Sequence, residues 1–292
     1  LIGAIIGDIV GSRFDFDNHR SKDFELFTDE CFVTDDSIMT LAIAKAIMEA
    51  EKAAMKARKA GMEGEKGLKP PLNPVDPIDD YSRLAGRMAV KYMQEIGRKY
   101  PNCGYGRRFA TWVFSDDPQP YNSFGNGAAM RISPVGFAAR TEFEACKLAR
   151  AVTEVTHNHE EGIKGAEAVA VVIYMVRHGF TKGEIREKIT HKYYPLDFTL
   201  DGIRDTYRFN ETCQETVPQA IQAFLESASF EDAIRNAISL GGDSDTLAAI
   251  TGSNAEAYYG VPEELKQKAF SYLDDELRAI FDEWVGFIDR TY

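Results

Sequence analysis

The sequence predicts an all-α protein, and three observations carry that reading. Apolar residues recur with a helical period almost throughout. Strand signals are scarce: only Phe109 to Phe114 resembles one, and that stretch also fits a helix. The polar clusters with chemical potential sit between helical patterns, where loops carry chemistry on a rigid scaffold. At 292 residues and 44% hydrophobic composition the chain has ample material for a buried core.

In chain order, Leu1 to Asp8 is apolar but lacks a basic lead and runs into acidic residues, unlike a secretory signal. Thr34-Asp35-Asp36-Ser37 then precedes a helical pattern at Ile38, Leu41, Ala42 and Ala46. Between Glu49 and Asp80 a Lys- and Ala-rich extension gives way to Gly61, Gly64 and Gly67, then Pro70, Pro71, Pro74 and Pro77. This reads as an exposed insertion at about 51–79 within a single domain spanning 1–292. Tyr81, Leu84, Ala85, Met88, Ala89, Tyr92, Met93 and Ile96 give the clearest amphipathic helix. Further helices are predicted from Glu142 to Thr156, Ile163 to His178, Gln214 to Ser227, and Pro262 to the C-terminus.

The net charge of −12 argues against a broad nucleic-acid surface, while leaving room for a small phosphate-containing ligand. Cys31, Cys103, Cys146 and Cys213 lie far apart with no C-x-x-C spacing, which indicates neither zinc nor disulfides and suggests reduced thiols in the cytoplasm. No run of about 18 uncharged apolar residues occurs, so no membrane span is expected.

The most informative stretch is Gly241-Gly242-Asp243-Ser244-Asp245-Thr246. The glycines follow a helical pattern at Phe230, Ala233, Ile234, Ala237 and Ile238, and another begins at Leu247. A capped inter-helix turn, with Ser244 or Asp245 accepting backbone N–H groups, accounts for one carboxylate but not for two and Thr246. The same chemical object recurs at Thr34-Asp35-Asp36-Ser37. If the two helix starts converge, four carboxylates and two threonine hydroxyls share one pocket. Bare, they would repel; two divalent cations taking hard oxygen donors would remove the conflict.

Two glycine-rich loops add to this. Tyr121-Asn122-Ser123-Phe124-Gly125-Asn126-Gly127-Ala128-Ala129-Met130-Arg131 lets backbone amides approach an anion, although most such loops are simple turns. Gly104-Tyr105-Gly106-Arg107-Arg108 adds an aromatic ring and two guanidinium groups, which otherwise read as surface salt-bridge partners. Thr156-His157-Asn158-His159 offers imidazoles, with helix capping by His157 and Asn158 as the simpler reading. His19, His178 and His191 lack motif context and read as solvent-facing. No G-x-S-x-G, P-loop or Rossmann fingerprint occurs.

Taken in order, Gly7-Asp8-Ile9-Val10-Gly11-Ser12, Thr34 to Ser37, Gly104 to Gly106, Ser123 to Arg131, Thr156-His157 and Gly241 to Thr246 resemble the ADP-ribosylglycohydrolase family. That family includes the glycohydrolase that reactivates dinitrogenase reductase. The resemblance implies an all-α, single-domain orthogonal helical bundle with two Mg²⁺ or Mn²⁺ ions beneath a cleft for ADP-ribose. It implies metal ligation by Thr34, Asp35, Asp36, Asp243, Asp245 and Thr246. Pyrophosphate would be held by Gly104, Tyr105 and Gly106 and by the loop of Ser123, Phe124, Gly125, Asn126 and Gly127, with Phe124 near the adenine, His157 at the ribose and Met130 among the substrate-binding residues. Where the family carries a glutamate, this chain has Asp15, one methylene shorter. Asp15 and Asp36 are the implied general-base candidates, with the metals clamping the ribose hydroxyls.

The implied activity is metal-dependent hydrolysis of the bond between ADP-ribose and a protein side chain or small acceptor. Two other readings compete: a non-catalytic ADP-ribose-binding or lens-crystallin-like protein, and a binuclear metal phosphohydrolase acting on nucleotides. All six ligand positions carry oxygen donors, which favours an enzyme over a decayed scaffold.

Overall fold

The computed structural model of the protein describes residues 1–15, 17–64 and 77–291. Its regular structure is helical, with no strand among the described residues beyond an isolated antiparallel bridge between Gly125 and Thr212. The first half runs α1 Ile2–Gly11, α2 Asp35–Gly64, α3 Pro77–Gly97, α4 Arg107–Val113, α5 Gly127–Met130, α6 Ser133–Ala138, α7 Glu142–Thr153 and α8 Glu160–Arg177. The second half runs α9 Lys182–Lys192, α10 Leu200–Ile203, α11 Cys213–Leu225, α12 Phe230–Ile238, α13 Ser244–Tyr259, α14 Glu263–Phe270 and α15 Asp275–Thr291. Side-chain caps begin several of these: Thr141, Thr181, Thr199 and Ser229 each accept an N–H from the first turn they precede.

The centre of the fold is the pair α1 and α13. Every residue of α1 is buried, as are Ser244 to Ala255 of α13. Their backbones touch, because α1 places glycine at every fourth position. A Cβ at Gly3 would stand 2.2 Å from the Gly252 carbonyl oxygen, one at Gly7 2.0 Å from that of Ala248, and one at Gly11 2.5 Å from the Asp245 Cα. The pairing is therefore antiparallel, and the end of α1 meets the start of α13. Alanine at any of the three would force the helices apart.

The stretch from Phe109, which fits either a strand or a helix by sequence, is helical through Val113 in α4. Three expectations change. The C-terminal helix from Pro262 is two helices, α14 and α15, because Asp274 Oδ1 accepts the Leu277 N–H at 2.9 Å and starts a new helix after the turn at 271–273. His19 is half-buried instead of fully solvent-facing: its ring lies 4.8 Å from Phe14 and 5.3 Å from Phe24. The insertion placed at 51–79 starts inside the fold. Glu51 is 2% exposed and pairs with Arg140 at 2.7 Å, and Lys52 reaches Glu283 at 2.6 Å. Residues 65–76 lie outside the described residues.

Replacing 65–76 by a short Gly/Ser linker is expected to leave turnover within about twofold, since changing the length of the connection between α2 and α3 alters closure entropy only weakly. Glu51→Ala is expected to lower the unfolding free energy by about 1–3 kcal/mol in urea melts, because Arg140 loses a partly buried partner. Wild-type stability in Glu51→Ala would separate α2 from the Arg140 pairing.

Candidate active site

Three chain segments meet where α1 ends. Asp8, fully buried on α1, accepts from the Thr34 N–H at 3.1 Å, the Thr34 hydroxyl at 2.6 Å and the Ser37 N–H at 3.1 Å. The Ser37 hydroxyl also donates to it. Asp8 is thus the acceptor that fixes the start of α2, a role the sequence reading missed. The available signal was a carboxylate inside an otherwise apolar run, since a buried charge needs partners from elsewhere.

At the other cluster, Gly241 and Gly242 take φ of +64° and +76°, a region open to glycine, and turn the chain into α13. Asn126 Nδ2 donates to Asp243 Oδ2 at 2.6 Å, so this loop residue braces a carboxylate. Thr246 donates its N–H to Asp245 Oδ1 at 2.7 Å and its hydroxyl to Asp36 Oδ2 at 3.3 Å, which links the two acidic clusters. The cap at the start of α13 comes from another segment: Asp15 Oδ1 accepts from the Ser244 N–H at 3.1 Å and the Asp245 N–H at 3.5 Å. Oxygens of Asp15, Asp243 and Asp245 all lie within 4.8 Å of one another.

These residues floor a cavity of about 670 Å³, a size typical of small-molecule sites. Thr34, Asp35, Asp36, Asp243, Asp245, Thr246 and Asp15 all line it. So do Gly104, Gly106, Ser123, Gly125, Asn126, Gly127, Met130 and His157. Tyr105 does not: its hydroxyl donates to the Gly97 carbonyl at 3.2 Å and its ring packs on Phe109, because it turns inward beneath the loop. Phe124 also lies off the lining, 41% exposed with its ring 5.1 Å from His159. Gly104 stands at φ +111°, a conformation that strains any side chain, and a Cβ there would also come 2.9 Å from Asp35 Oδ1.

The arginines are not surface ion pairs. Arg107 and Arg108 face the cavity, with the Arg108 guanidinium 4.8 Å from the Tyr121 ring centroid, and neither forms a salt bridge among the described residues. Capping near His157 is also rearranged. His159, not His157, caps α8 by accepting the Glu161 N–H at 3.1 Å, while Asn158 Oδ1 accepts the Asn122 N–H at 2.6 Å. Phe209 and Phe32, exposed aromatics on the lining, had no signal in spacing or motif.

Burial, and next the charge of Asp245, raises the carboxyls of Asp8 and Asp35 to about 7 and about 8, and that of Asp15 to about 9. The same two causes push Asp36 and Asp243 well above the usual range. Asp36 Oδ1 is buried with no hydrogen-bond partner. An orphaned carboxylate oxygen among hard oxygen donors suits a divalent cation: the residues present fit one.

A sequence profile described as ADP-ribosylglycohydrolase matches residues 1–288. The ADP-ribosylarginine hydrolase Tri1 of Pseudomonas putida is 25% identical over 316 residues, covering 97% of this chain and 76% of that protein. The human ADP-ribosylhydrolase ARH3 is 24% identical over 360 residues, covering 96% of this chain and 90% of the relative. A solved structure described as an ADP-ribosylglycohydrolase-related protein complex superimposes with a TM-score of 0.58 at 20% identity, over 93% of this chain and 95% of that one.

The raised carboxyls set a pH dependence for the metal-free protein. An acid whose folded pKa exceeds its unfolded value near 4 binds more protons when folded, so stability falls as pH rises through that interval. With folded values of about 7, 8 and 9 for Asp8, Asp35 and Asp15, chelator-treated protein is expected to melt at lower temperature as pH goes from 5 to 9. Adding Mg²⁺ or Mn²⁺ at the alkaline end should restore the loss. A melting temperature that rises with pH in chelator would contradict the crowding of these groups.

Proposed function

The chain belongs to the ADP-ribosylglycohydrolase family and is an enzyme of that class, and from that premise we propose that it hydrolyses the glycosidic bond joining ADP-ribose to an acceptor on a protein side chain or small molecule. One observation carries the reading: two acidic helix starts and Asp15 converge on a cavity floor where Asp36 Oδ1 is left without a partner. We assign metal ligation to Thr34, Asp35, Asp36, Asp243, Asp245 and Thr246, whose oxygens suit Mg²⁺ or Mn²⁺. A divalent cation held there would supply Lewis acidity and would make water a better nucleophile.

The residues of the chain do the rest. With its carboxyl held ionised by a cation in the cluster and Oδ1 accepting from the α13 amides, Asp15 would take a proton from the attacking water on Oδ2. The carboxylate cluster also stabilises the positive charge that develops at the anomeric carbon in an oxocarbenium-like state. Glycines 125 and 127 let the ligand approach the backbone, and Arg107 and Arg108 meet its negative charge at the rim. Asp15 reaches the site despite its shorter side chain, because its loop is drawn onto the start of α13. The Asn18 side chain accepts the Gly242 N–H at 3.3 Å, and Arg20 donates to the Tyr207 and Arg204 carbonyls at 2.6 Å and to that of Leu240.

Asp243→Ala is expected to cut release of ADP-ribose by at least about a hundredfold. EDTA should do the same, read by mass analysis on arginine-, serine- and nucleic-acid-linked conjugates. Activity surviving both would remove the metal from the proposal. Asp15→Asn is expected to lower kcat by roughly a hundredfold with ADP-ribose still bound, as loss of a base does. Asp15→Glu should also lower kcat, since about 1 Å of misplacement matters in a loop already drawn in. Faster turnover in Asp15→Glu would mean that the native reach is short.

A further inference from the structure

His157 lies beside the glycine loop with its Nε2 3.5 Å from the Cβ position of both Gly125 and Gly127, so this nitrogen faces the cavity. Its other nitrogen is turned into the protein. Nδ1 lies 2.7 Å from the Thr156 hydroxyl and 3.4 Å from Arg131 Nη2. Arg131 itself is 1% exposed, donates to the Thr156 hydroxyl at 2.6 Å, and has no carboxylate partner among the described residues.

Proton positions around Nδ1 follow from these contacts. The Thr156 oxygen accepts from Arg131, so its own hydrogen goes either to Nδ1 at 2.7 Å or to the Thr153 carbonyl at 3.3 Å. The nearer acceptor gives the stronger bond. A hydrogen on Nδ1 would also point toward the N–H groups of a fixed cation at 3.4 Å, donor against donor. Both arguments leave Nδ1 bare. Burial and the adjacent Arg131 charge further hold the ring in its neutral form.

We infer that Arg131, acting through Thr156, locks His157 as the Nε2–H tautomer, so that His157 presents a permanent hydrogen-bond donor to an oxygen of the bound ligand and takes no proton from it. Arg131 and Thr156 are positioning residues in this scheme, and His157 is the group that touches the ligand. The inference deepens the proposed activity and rests on it for the ligand, but the tautomer belongs to the free protein. A donor fixed before binding costs no reorganisation when the ligand arrives. It also leaves proton abstraction to the carboxylates that line the same cavity.

The tautomer is read directly by long-range ¹⁵N–¹H correlation NMR on uniformly ¹⁵N-labelled protein without substrate, with His157→Gln identifying the His157 signals among those of the five histidines. The expected result is a pyridine-type Nδ1 and a pyrrole-type Nε2–H across neutral pH. A pyrrole-type Nδ1, or a ring that charges near neutrality, would overturn the inference whatever the enzyme's substrate. Thr156→Ser should keep the pattern; Thr156→Val should shift it toward a mixture of tautomers, and an unchanged ring in Thr156→Val would remove Thr156 from the relay. In turnover of ADP-ribosylated peptide, His157→Gln, which retains an N–H donor, is expected to stay within about tenfold of wild type. His157→Leu, which has none, should lose roughly a hundredfold. Equal losses in the two variants would sink the donor reading.

Discussion

Backbone contact between α1 and α13 sets the geometry of everything around it. Glycines at 3, 7 and 11 let the two helices approach until only hydrogen atoms separate carbonyls from Cα groups. That closeness puts Asp8 and Asp15, at and beyond the end of α1, next to the residues that open α13. No side chain mediates the placement, so it cannot relax by a rotamer change. The carboxylates are consequently held close together against their repulsion by the packing of the core itself.

The repulsion is handled by giving the carboxylates different partners. Asp8 is satisfied by the backbone and hydroxyls of Thr34 and Ser37, and behaves as a structural cap. Asp243 leans on Asn126, and Asp15 on the amides of α13. Asp36 alone keeps a buried oxygen with no partner. The cluster therefore divides into oxygens spent on holding the site and oxygens left facing the cavity, and only the second kind is available to a ligand. The same cavity is also lined by cations, Arg107, Arg108 and the buried Arg131. A ligand that carries both anionic and polar groups matches that mixed lining.

The glycine-rich loops illustrate how a correct observation can have a different cause. Their small residues read as room for a phosphate, and Gly125 and Gly127 do line the cavity. Gly104, Gly241 and Gly242, however, all take positive φ, Gly104 beside Asp35 and the other two beneath Asn18 and Tyr207, so the backbone turn by itself calls for glycine. Tyr105, between two glycines, points into the core instead of the cavity. A loop sequence records that space is needed without recording what fills it.

By itself the sequence determined the helical character, the approximate extent of most helices and the two acidic helix starts, because these depend on periodicity and capping over a few neighbouring residues. It also carried enough ordered motifs to place the chain in its family. Only the tertiary structure decided which residues meet. Asp8 takes its role from segments 26 and 29 positions away, Asp15 from one 229 positions away, and Glu51 from Arg140. The divided C-terminal helix and the caps around His159 likewise rest on single hydrogen bonds at turns, which leave no periodic trace. Packing of α1 on α13 fixes these long-range contacts, and in the sequence its only mark is three glycines spaced by four, a pattern whose partner cannot be read locally.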